Sequence, residues 1–508
     1  MSRYLVLSIL ATLVACKSLP KNITREPSVA FAPDPNTQFG KLLNPKLKEH
    51  PGQSALYPLS SGQDALIARI GSAQGAEHSL DLQYYIWMND LTGNFLLSYV
   101  LAAADRGVRV RILLDDLNQG KYEKGLAVIA LHPNVEIRMV NPFAHRSWRF
   151  LEASRFSEVN KRMHNKVFIA DNQVAIVGGR NIGNEYFWAS DETNFGDFDL
   201  WVAGPVVADL SSEFDSYWNS TIAYPISALV PGFQPQPEDL SLLREKASAA
   251  ILELQGTEYA KALRNTEFLK KFNMGKISLY WGIAHAVFDP PAKLEGHDKQ
   301  NLQHQLLPFL QEATTEVILV SPYFIPGKNG IEFFKQQQNR GVRSIVLTNS
   351  LASSDVSSVF GGYKGYRKDL LKSGVELYEL KARPSSSMKT AKSLGSGSSR
   401  AGLHGKTFVF DRKTLFVGSM NLDPRSIHLN SEMGVIVDSP ELLRDFVAQF
   451  QEILREDAYK LKLSPQEDLV WESLEDGKII EYFQEPETGW WKRFKTGFIS
   501  IFVPESQL

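Results

Sequence analysis

The chain has 508 residues, with 57 acidic and 55 basic side chains and a formal net charge of −2 at neutral pH. This length is sufficient for two domains with a large core, so an internal duplication is plausible. The near-zero charge argues against a general nucleic-acid coat, and the ordinary apolar and charged fractions exclude a disordered or fibrous chain.

The first residues predict a signal peptide at 1–15. Arg3 precedes a short apolar run, which small residues follow. The apolar run is too short to cross a bilayer as a helix. The alternative is a buried N-terminal helix. The letters LVAC resemble a bacterial lipobox, which implies that Cys16, the only cysteine, is the lipidated first residue of the mature chain. With Lys17 behind it, the pattern indicates a periplasm-facing lipoprotein in the outer membrane of a Gram-negative-type cell envelope.

Residues 16–55 are rich in Pro, Asn and Lys and predict a tether. After the tether, strands and helices alternate. SLDLQYYIW is typical of a buried strand, NFLLSYVLAAADRG of an amphipathic helix, and VRVRILLDD of a second strand. Such alternation predicts βαβ units with helices on both faces of a sheet.

The second half of the chain repeats this series. EVILVSPYFI, EFFKQQQNRG and VRSIVLTNS follow in the same order, and the letters RGVR occur at both 106–109 and 340–343. We therefore predict two duplicated α/β layer-sandwich domains with mixed, mostly parallel sheets flanked by helices. The predicted divisions are a first half at 56–222, a helical connector at 223–276, a second half at 277–460 and a C-terminal tail with an amphipathic helix at 461–508.

Two stretches, HNKVFIADNQVAIVGGRN and HGKTFVFDRKTLFVGSMN, repeat each other in register. Each contains His-x-Lys, an Asp after a gap of four residues, an apolar run, and a small pair before Asn. A single His-x-Lys usually lies on the surface and has no function. Two long stretches that match at the same spacings indicate that they share one function. The candidate residues are His164, Lys166, Asp171 and Asn181 in the first motif and His404, Lys406, Asp411, Ser419 and Asn421 in the second.

These residue types suit chemistry at a phosphodiester. One imidazole can attack phosphorus and form a phosphohistidine, while the other, protonated, donates to the leaving oxygen. The Lys and Asn side chains, with Ser419, would bind the phosphate and stabilise charge on its non-bridging oxygens. No cofactor or metal is required. A zinc site is disfavoured because there is no His-Glu-x-x-His, and each His has a Lys beside it that would repel a cation.

Each His needs an acid that fixes its tautomer and stabilises the imidazolium. Asp199 in FGDFDLWVAGP and Glu432 in LNSEMGVIVDSP each stand just before an apolar strand, at corresponding places in the repeat. We predict that they are the orienting acids. The alternative is a strand-edge acid that pairs with a surface Lys and has no part in catalysis.

The paired motifs resemble those of the phospholipase D superfamily. Within it, HNKVFIADNQVAIVGGRNIGNEYFWAS, FGDFDLWVAGPVV and VGSMNLDPRS are similar to the bacterial cardiolipin synthases of the C type. The resemblance implies two domains that face each other across one active site, with His164 as the nucleophile and His404 as acid and then base. It also implies that Asp171 and Asp411 are more structural than catalytic.

The leading functional prediction is a phosphatidyltransferase that moves a phosphatidyl group between phospholipids and makes cardiolipin when phosphatidylglycerol is the acceptor. With water as acceptor, the same site would be a phospholipase D. A nucleic-acid phosphodiesterase or a silent scaffold lipoprotein are further alternatives, and the charge and the two complete motifs oppose them. The expected partners are a phospholipid substrate and a membrane surface. No nucleic acid is expected, and a monomer suffices for the site.

Overall fold

A computed structural model describes residues 18–21, 23–146, 149–274, 276–297, 301–383 and 400–499. The predicted signal peptide and Cys16 lie outside these residues. The described chain forms two similar halves, each a sheet with helices packed on it, and a set of helices connects them. The predicted α/β class and the duplication are confirmed.

The first half contains the first HxK motif on the strand pair β5 and β6. In chain order its elements are α1 (Gln38–Glu49), β1 (Ser54–Leu59), α2 (Gly62–Gly75), β2 (Ser79–Tyr84), α3 (Leu91–Asp105), β3 (Arg109–Asp115), α4 (Glu123–Ile129), β4 (Val135–Val140), a 3-10 helix (Arg149–Arg155), α5 (Phe156–Val159), β5 (Val167–Ala170), β6 (Val174–Gly178), β7 (Thr193–Gly196), β8 (Asp199–Ala203) and α6 (Pro205–Trp218).

A mostly helical segment then leads to the second half. It consists of β9 (Ala223–Pro225), α7 (Ile226–Leu229), α8 (Pro237–Gln255), α9 (Glu258–Arg264) and α10 (Glu267–Asn273). The short strand β9 pairs with β4, so the beginning of this segment belongs to the sheet of the first half.

The second half repeats the order of the first and then adds an antiparallel hairpin and a helix. Its elements are β10 (Tyr280–Phe288), α11 (Ala292–Glu295), α12 (Leu302–Glu312), β11 (Glu316–Val320), α13 (Gly327–Asn339), β12 (Arg343–Asn349), α14 (Ser357–Lys364), α15 (Arg367–Lys372), β13 (Val375–Leu380), β14 (Arg400–Leu403), β15 (Thr407–Phe410), β16 (Thr414–Gly418), α16 (Pro424–His428), β17 (Met433–Asp438), α17 (Pro440–Glu456), β18 (Ala458–Leu463), β19 (Leu469–Glu475), β20 (Lys478–Tyr482) and α18 (Trp490–Ile499).

The two half-sheets are mixed. Strands β2, β3 and β4 are parallel, as are β11, β12 and β13, whereas the strands that carry the motifs pair antiparallel. The half-sheets meet at an antiparallel pairing of β1 with β10, and β7 also pairs with β14 across the halves. The duplication is therefore held together by backbone hydrogen bonds as well as by side-chain packing.

Apolar side chains form three core clusters. One lies between the first sheet and its outer helices, and another lies in the same place in the second half. The third joins residues of both halves, among them Val167, Val202, Val409 and Val435, together with residues of α6 and α17. The inner faces of the two sheets therefore share one core, which fixes the halves against each other at the motifs.

The predicted tether and the predicted C-terminal tail have more structure than their composition indicated. The predicted tether contains helix α1, and its Arg25 donates to the backbone oxygens of Thr221 and Ala223. The predicted C-terminal tail begins inside β18, and the hairpin β19–β20 extends the second sheet. Helix α1 has Pro45 in its interior, which in a sequence is normally typical of an irregular segment.

Candidate active site

The two His-x-Lys sequences meet where the halves face each other. His164 and Lys166 immediately precede β5, and His404 and Lys406 precede β15; all four side chains are buried. The backbone N–H of each His donates to a backbone oxygen of the opposite half: that of His164 to Ser431, at 2.9 Å, and that of His404 to Gly196, at the end of β7, at 2.8 Å.

Each imidazole is held by a carboxylate from the opposite half. His164 Nδ1 lies 2.8 Å from Glu432 Oε2, and His404 Nδ1 lies 2.6 Å from Asp197 Oδ2. Both acids are fully or nearly fully buried. Since Nδ1 is engaged in both rings, Nε2 is the nitrogen that remains for reaction with a substrate.

The structure contradicts the prediction that Asp199 orients a histidine. Its carboxylate is buried and lies 2.9 Å from Arg69 and 3.3 Å from Arg180, so it neutralises two buried guanidinium groups. Asp197 holds His404 instead. Asp197 lies between β7 and β8, and Asp199 is the first residue of β8, so the presence of an acid before the apolar strand does not by itself identify the orienting residue.

Strand pairing shows which acid corresponds to Glu432. Gly178 of the first motif faces Asp199, and Gly418 of the second motif faces Gly434. Asp199 is therefore equivalent to Gly434, and Asp197, two residues earlier, is equivalent to Glu432. Aligning the two strands by the prolines that begin α6 and α17 could have found this signal in the sequence, because Asp197 and Glu432 stand at the same distance before Pro205 and Pro440.

The two lysines are buried beside the histidines. Lys166 Nζ donates to the backbone oxygen of His164, and Lys406 Nζ donates to that of His404. Burial lowers the pKa of Lys166 well below its usual value and lowers the pKa of Lys406 to about 8. The site therefore holds two desolvated amines, which an anionic ligand would bring back to full protonation.

Burial and the neighbouring lysines also keep the imidazoles neutral. The pKa of His164 lies well below its usual value, and that of His404 is lowered to about 4. The pKa values of the two acids shift in opposite directions. Burial raises the pKa of Glu432 to about 7, whereas for Asp197 the hydrogen bond and charge of His404 outweigh burial and lower the pKa to about 2. The repeated sequence thus has two different electrostatic halves.

The polar residues after the motif strands have separate contacts. Asn181 donates to the hydroxyl of Tyr186, 3.0 Å away, and Asn421 Oδ1 is buried with no hydrogen-bond partner among the described residues. The Ser419 hydroxyl donates to Glu432 Oε2 at 2.5 Å. Ser419, predicted to bind phosphate, therefore contacts the orienting acid in this structure.

The motif aspartates lie away from the histidines, at the turns that follow β5 and β15. Asp171 accepts backbone N–H bonds from residues 77, 78 and 79, and Asp411 accepts them from residues 314, 315 and 316. Both have a left-handed backbone, with φ of 54° and 53°. They fix the motif strand pair to the start of β2 and of β11, a structural contribution.

Aromatic rings that the sequence analysis did not single out form walls around the histidines. Tyr85 packs edge-on against His164 with 4.9 Å between ring centroids, and Tyr186 packs in the same way against His404 at 5.1 Å. Phe195 contacts the same ring of His404 at 5.2 Å. These contacts restrict imidazole rotation and keep water from the ring faces.

A buried polar network behind His164 was also missed. Asn165 donates to Glu213 Oε1 at 2.6 Å and accepts from Ser431 Oγ at 2.8 Å. Gln83 donates to the same oxygen of Glu213, whose pKa burial raises to about 8. Since Ser431 immediately precedes Glu432, the network links the first half to the loop that carries the acid of His164.

The described residues also bear on metal binding and on membrane spanning. Within the described ranges, no group of three His, Cys, Asp or Glu side chains is arranged to hold a metal ion. The expected metal-free reaction stays a prediction. Among the described helices, none combines the length and apolar character needed to cross a bilayer.

The chain matches a family model described as a cardiolipin synthase, PLD-like domain, at residues 66–218 and 306–454. It is 39% identical to cardiolipin synthase C of Escherichia coli over 91% of this chain and 98% of that protein. It is 25% identical to a cardiolipin synthase of Geobacillus over 78% of this chain and 66% of that protein. Phosphatidylserine synthase of Haemophilus influenzae shares the fold, with a TM-score of 0.55 and 14% identity over 80% of this chain and 87% of that one. The chain therefore belongs to the cardiolipin synthase family of phospholipase D-like enzymes.

Proposed function

We propose that this enzyme transfers a phosphatidyl group between phospholipids through a covalent phosphohistidine and makes cardiolipin when the acceptor is phosphatidylglycerol. The observation that carries the proposal is the pair of buried imidazoles, each held at Nδ1 by an acid from the opposite half. Two such groups are what a double displacement at phosphorus requires: one nucleophile and one group that donates and then removes a proton.

In the first step, Nε2 of His164 attacks the phosphorus of the donor lipid. The bond from phosphorus to the leaving headgroup oxygen breaks, and that oxygen receives a proton from His404. In the second step, His404 takes the proton back from the hydroxyl of the acceptor, whose oxygen attacks phosphorus. The bond between phosphorus and His164 breaks, and the histidine regains its lone pair.

The assignment of the two roles is supported by the difference between the acids. Both imidazoles are neutral in the free site, but Asp197, with a pKa of about 2, is ionised, and its anion would favour protonation of His404 once an anionic phosphate is bound. His164, whose pKa lies well below its usual value, is neutral and has a lone pair available for attack. We therefore propose His164 as the nucleophile and His404 as the proton carrier.

The remaining polar groups suit the phosphate. Lys166 and Lys406, each buried beside a histidine, would stabilise the charge that develops on the non-bridging oxygens. Asn421 and Asn181 would donate from their side-chain amide nitrogens to the same phosphate or its ester oxygens. Ser419, which bonds to Glu432, would act on the acid instead.

We propose further that the enzyme works at a membrane surface as a monomer. Trp490, Trp491 and Phe494 of α18 are 59–68% exposed, and Phe483 beside the hairpin is 69% exposed. An exposed aromatic cluster suits the boundary between lipid headgroups and acyl chains. Both acid–histidine pairs lie within one chain, which supports a complete site in a monomer.

A lipid anchor on Cys16 and a location in the outer membrane remain proposals from the sequence. If Cys16 carries the anchor, Cys16→Ala would release the protein from the membrane fraction or stall removal of residues 1–15. A variant that fractionates like the wild type would favour the aromatic cluster on α18 as the main attachment.

The transfer is tested by incubating the pure enzyme with phosphatidylglycerol, with and without phosphatidylethanolamine, and identifying the lipids by mass spectrometry. Cardiolipin supports the proposal. Phosphatidic acid alone would identify a hydrolase with water as acceptor, and unchanged lipids with folded enzyme would refute both activities. His164→Asn, which removes the nucleophile, is the matched control.

A further inference from the structure

A cavity of about 730 Å³ lies between the halves, beside the acid–histidine pair of the second motif. Val320, Leu347 and Leu380, at the ends of the parallel strands of the second half, form one wall, and Phe450 of α17 forms another. A well-packed interior leaves few voids larger than a water molecule, whereas ligand pockets typically enclose about 300–1,000 Å³. The volume is therefore that of a binding site.

The cavity also has a polar end. Ser61 and Gln63, at the beginning of α2, are part of its lining, as are the ionisable side chains of Asp64, Glu267, Lys270, Glu452 and Asp457. Gln63 is only 4% exposed, and its amide nitrogen Nε2 has no hydrogen-bond partner among the described residues. A buried donor is normally paired, so this amide is placed to donate to an oxygen of a bound molecule. The occupant should have a long apolar body and one oxygen acceptor.

The repeat shows that the second half alone has opened this space. Gln83 faces the first-motif strand at the position that Val320 occupies against the second-motif strand. In the first half, Gln83 and Asn165 meet on the carboxyl group of Glu213 and fill the interior. In the second half, Val320 and Gly405, the counterpart of Asn165, line the cavity instead. Smaller or less polar residues stand where the other half has a packed network.

We propose that this cavity binds one acyl chain, with its ester or carboxyl oxygen on the amide of Gln63. The acyl chain as ligand rests on the proposed function, which brings lipids to this enzyme. Asp197 and Gly405 also line the cavity, so a bound chain contacts the reverse side of the pair formed by Asp197 and His404. The cavity is thus a tail site distinct from the phosphate site at the histidines.

Ile453→Trp tests the cavity by filling it with the side chain that the first half uses. Ile453 lines the cavity, and its counterpart, counted from the prolines that begin α6 and α17, is the fully buried Trp218. Leu454→Trp is the matched control, because Leu454 is the next residue of the helix and lines a different surface depression. Both variants are first checked for native near-ultraviolet circular dichroism.

Binding is measured by equilibrium dialysis of the full chain with radiolabelled palmitate below its micellar concentration. The wild type and Leu454→Trp should bind one palmitate per chain, and Ile453→Trp should bind at least tenfold more weakly. Each methylene removed from the fatty acid should weaken wild-type binding by up to about fourfold. Gln63→Leu should weaken it about tenfold. Equal affinity in Ile453→Trp and Leu454→Trp, or binding that does not saturate, would overturn the tail site.

Turnover measurements show whether the bound acyl chain belongs to the phospholipid substrate or to another molecule. If the chain belongs to the substrate, Ile453→Trp should raise KM about tenfold for dipalmitoyl phosphatidylglycerol in mixed micelles and leave KM for the dihexanoyl lipid unchanged. If both KM values are unchanged while palmitate binding is lost, the chain comes from a free fatty acid or a non-reacting lipid. Palmitate binding by an enzyme that turns over no phospholipid would retain the tail site and refute the transferase.

Discussion

Replacing Asp197 with asparagine tests whether the acid from the first half controls the histidine of the second. The amide oxygen of asparagine can still accept a hydrogen bond from His404 Nδ1, so the 2.6 Å contact can persist while the charge is lost. What changes is the stabilisation of the protonated imidazole. His404 then becomes a poorer proton donor to the leaving headgroup.

The size of the effect follows from the separation of the charges. Asp197 and His404 are 5% and 6% exposed, and two unit charges about 4 Å apart interact by about 4 kcal/mol at an effective dielectric constant of about 20. Loss of this term from the transition state corresponds to about a thousandfold in rate, within the range of about 10²–10⁴ that positioned acids and bases contribute. We expect kcat for phosphatidylglycerol to fall by about that factor.

The assay compares two leaving groups. A natural headgroup alcohol needs the proton from His404, whereas a nitrophenyl ester leaves without one, so Asp197→Asn should slow the first reaction far more than the second. Asp199→Asn is the matched control. It breaks the buried ion pair with Arg69 and Arg180 and should cost about 3–5 kcal/mol of unfolding free energy, with kcat per folded molecule changed by less than about threefold.

Two results would refute this reasoning. One is an equal loss of rate with both leaving groups in Asp197→Asn, since a proton donor affects only the leaving group that needs a proton. The other is a larger loss of kcat per folded molecule in Asp199→Asn than in Asp197→Asn, which would restore the acid predicted from the sequence. Thermal unfolding of each variant supplies the folded fraction needed for both comparisons.

Trapping with lipid labelled in the phosphatidyl group should leave no label on His164→Asn, whereas His404→Asn should accumulate labelled protein; equal labelling of the two would reverse or remove the assignment. The rate should rise with pH through about 7, as Glu432 ionises, and fall above about 8, as Lys406 loses its proton; Glu432→Gln should abolish the lower limb but not the upper. Asp171→Ala should lower the unfolding free energy by about 1–3 kcal/mol, because one buried and two part-buried backbone donors lose their acceptor, and leave kcat per folded molecule within about threefold, as urea titration and initial rates will show. Activity should persist in EDTA, and a loss that a divalent ion restores would contradict the metal-free mechanism.

The duplication and the motif histidines could be predicted from the sequence because they lie within short contiguous stretches whose spacing repeats. The orienting acid could not be assigned in the same way. Asp197 and Asp199 stand two residues apart before the same apolar run, and the pairing of Gly178 with Asp199, against that of Gly418 with a glycine, separates them. Local periodicity specifies the face of a strand, whereas register depends on the partner strand.

The contacts between the halves could not be predicted from local sequence patterns either. Asn165 and Gly405 are the middle residues of the two His-x-Lys sequences and look interchangeable, yet only Asn165 crosses to Ser431 and joins a buried network. Helix α1 was missed for a related reason. Its sequence contains Pro45, and it is stabilised by packing of its buried face rather than by its own helical propensity.

The crossed pairs explain why the repeat must act as a unit. Each half carries one histidine and the acid for the other histidine, so neither half alone contains a complete pair. The two acids occupy equivalent positions, but their pKa values differ: the pKa of Asp197 is lowered and that of Glu432 is raised. A double displacement needs two imidazoles in different protonation states, because one must attack with its nitrogen lone pair while the other donates a proton. The divergence that opens a cavity beside Asp197 and fills the corresponding space behind His164 affects the same two pairs, and it is therefore part of how a symmetric duplication supports an asymmetric reaction.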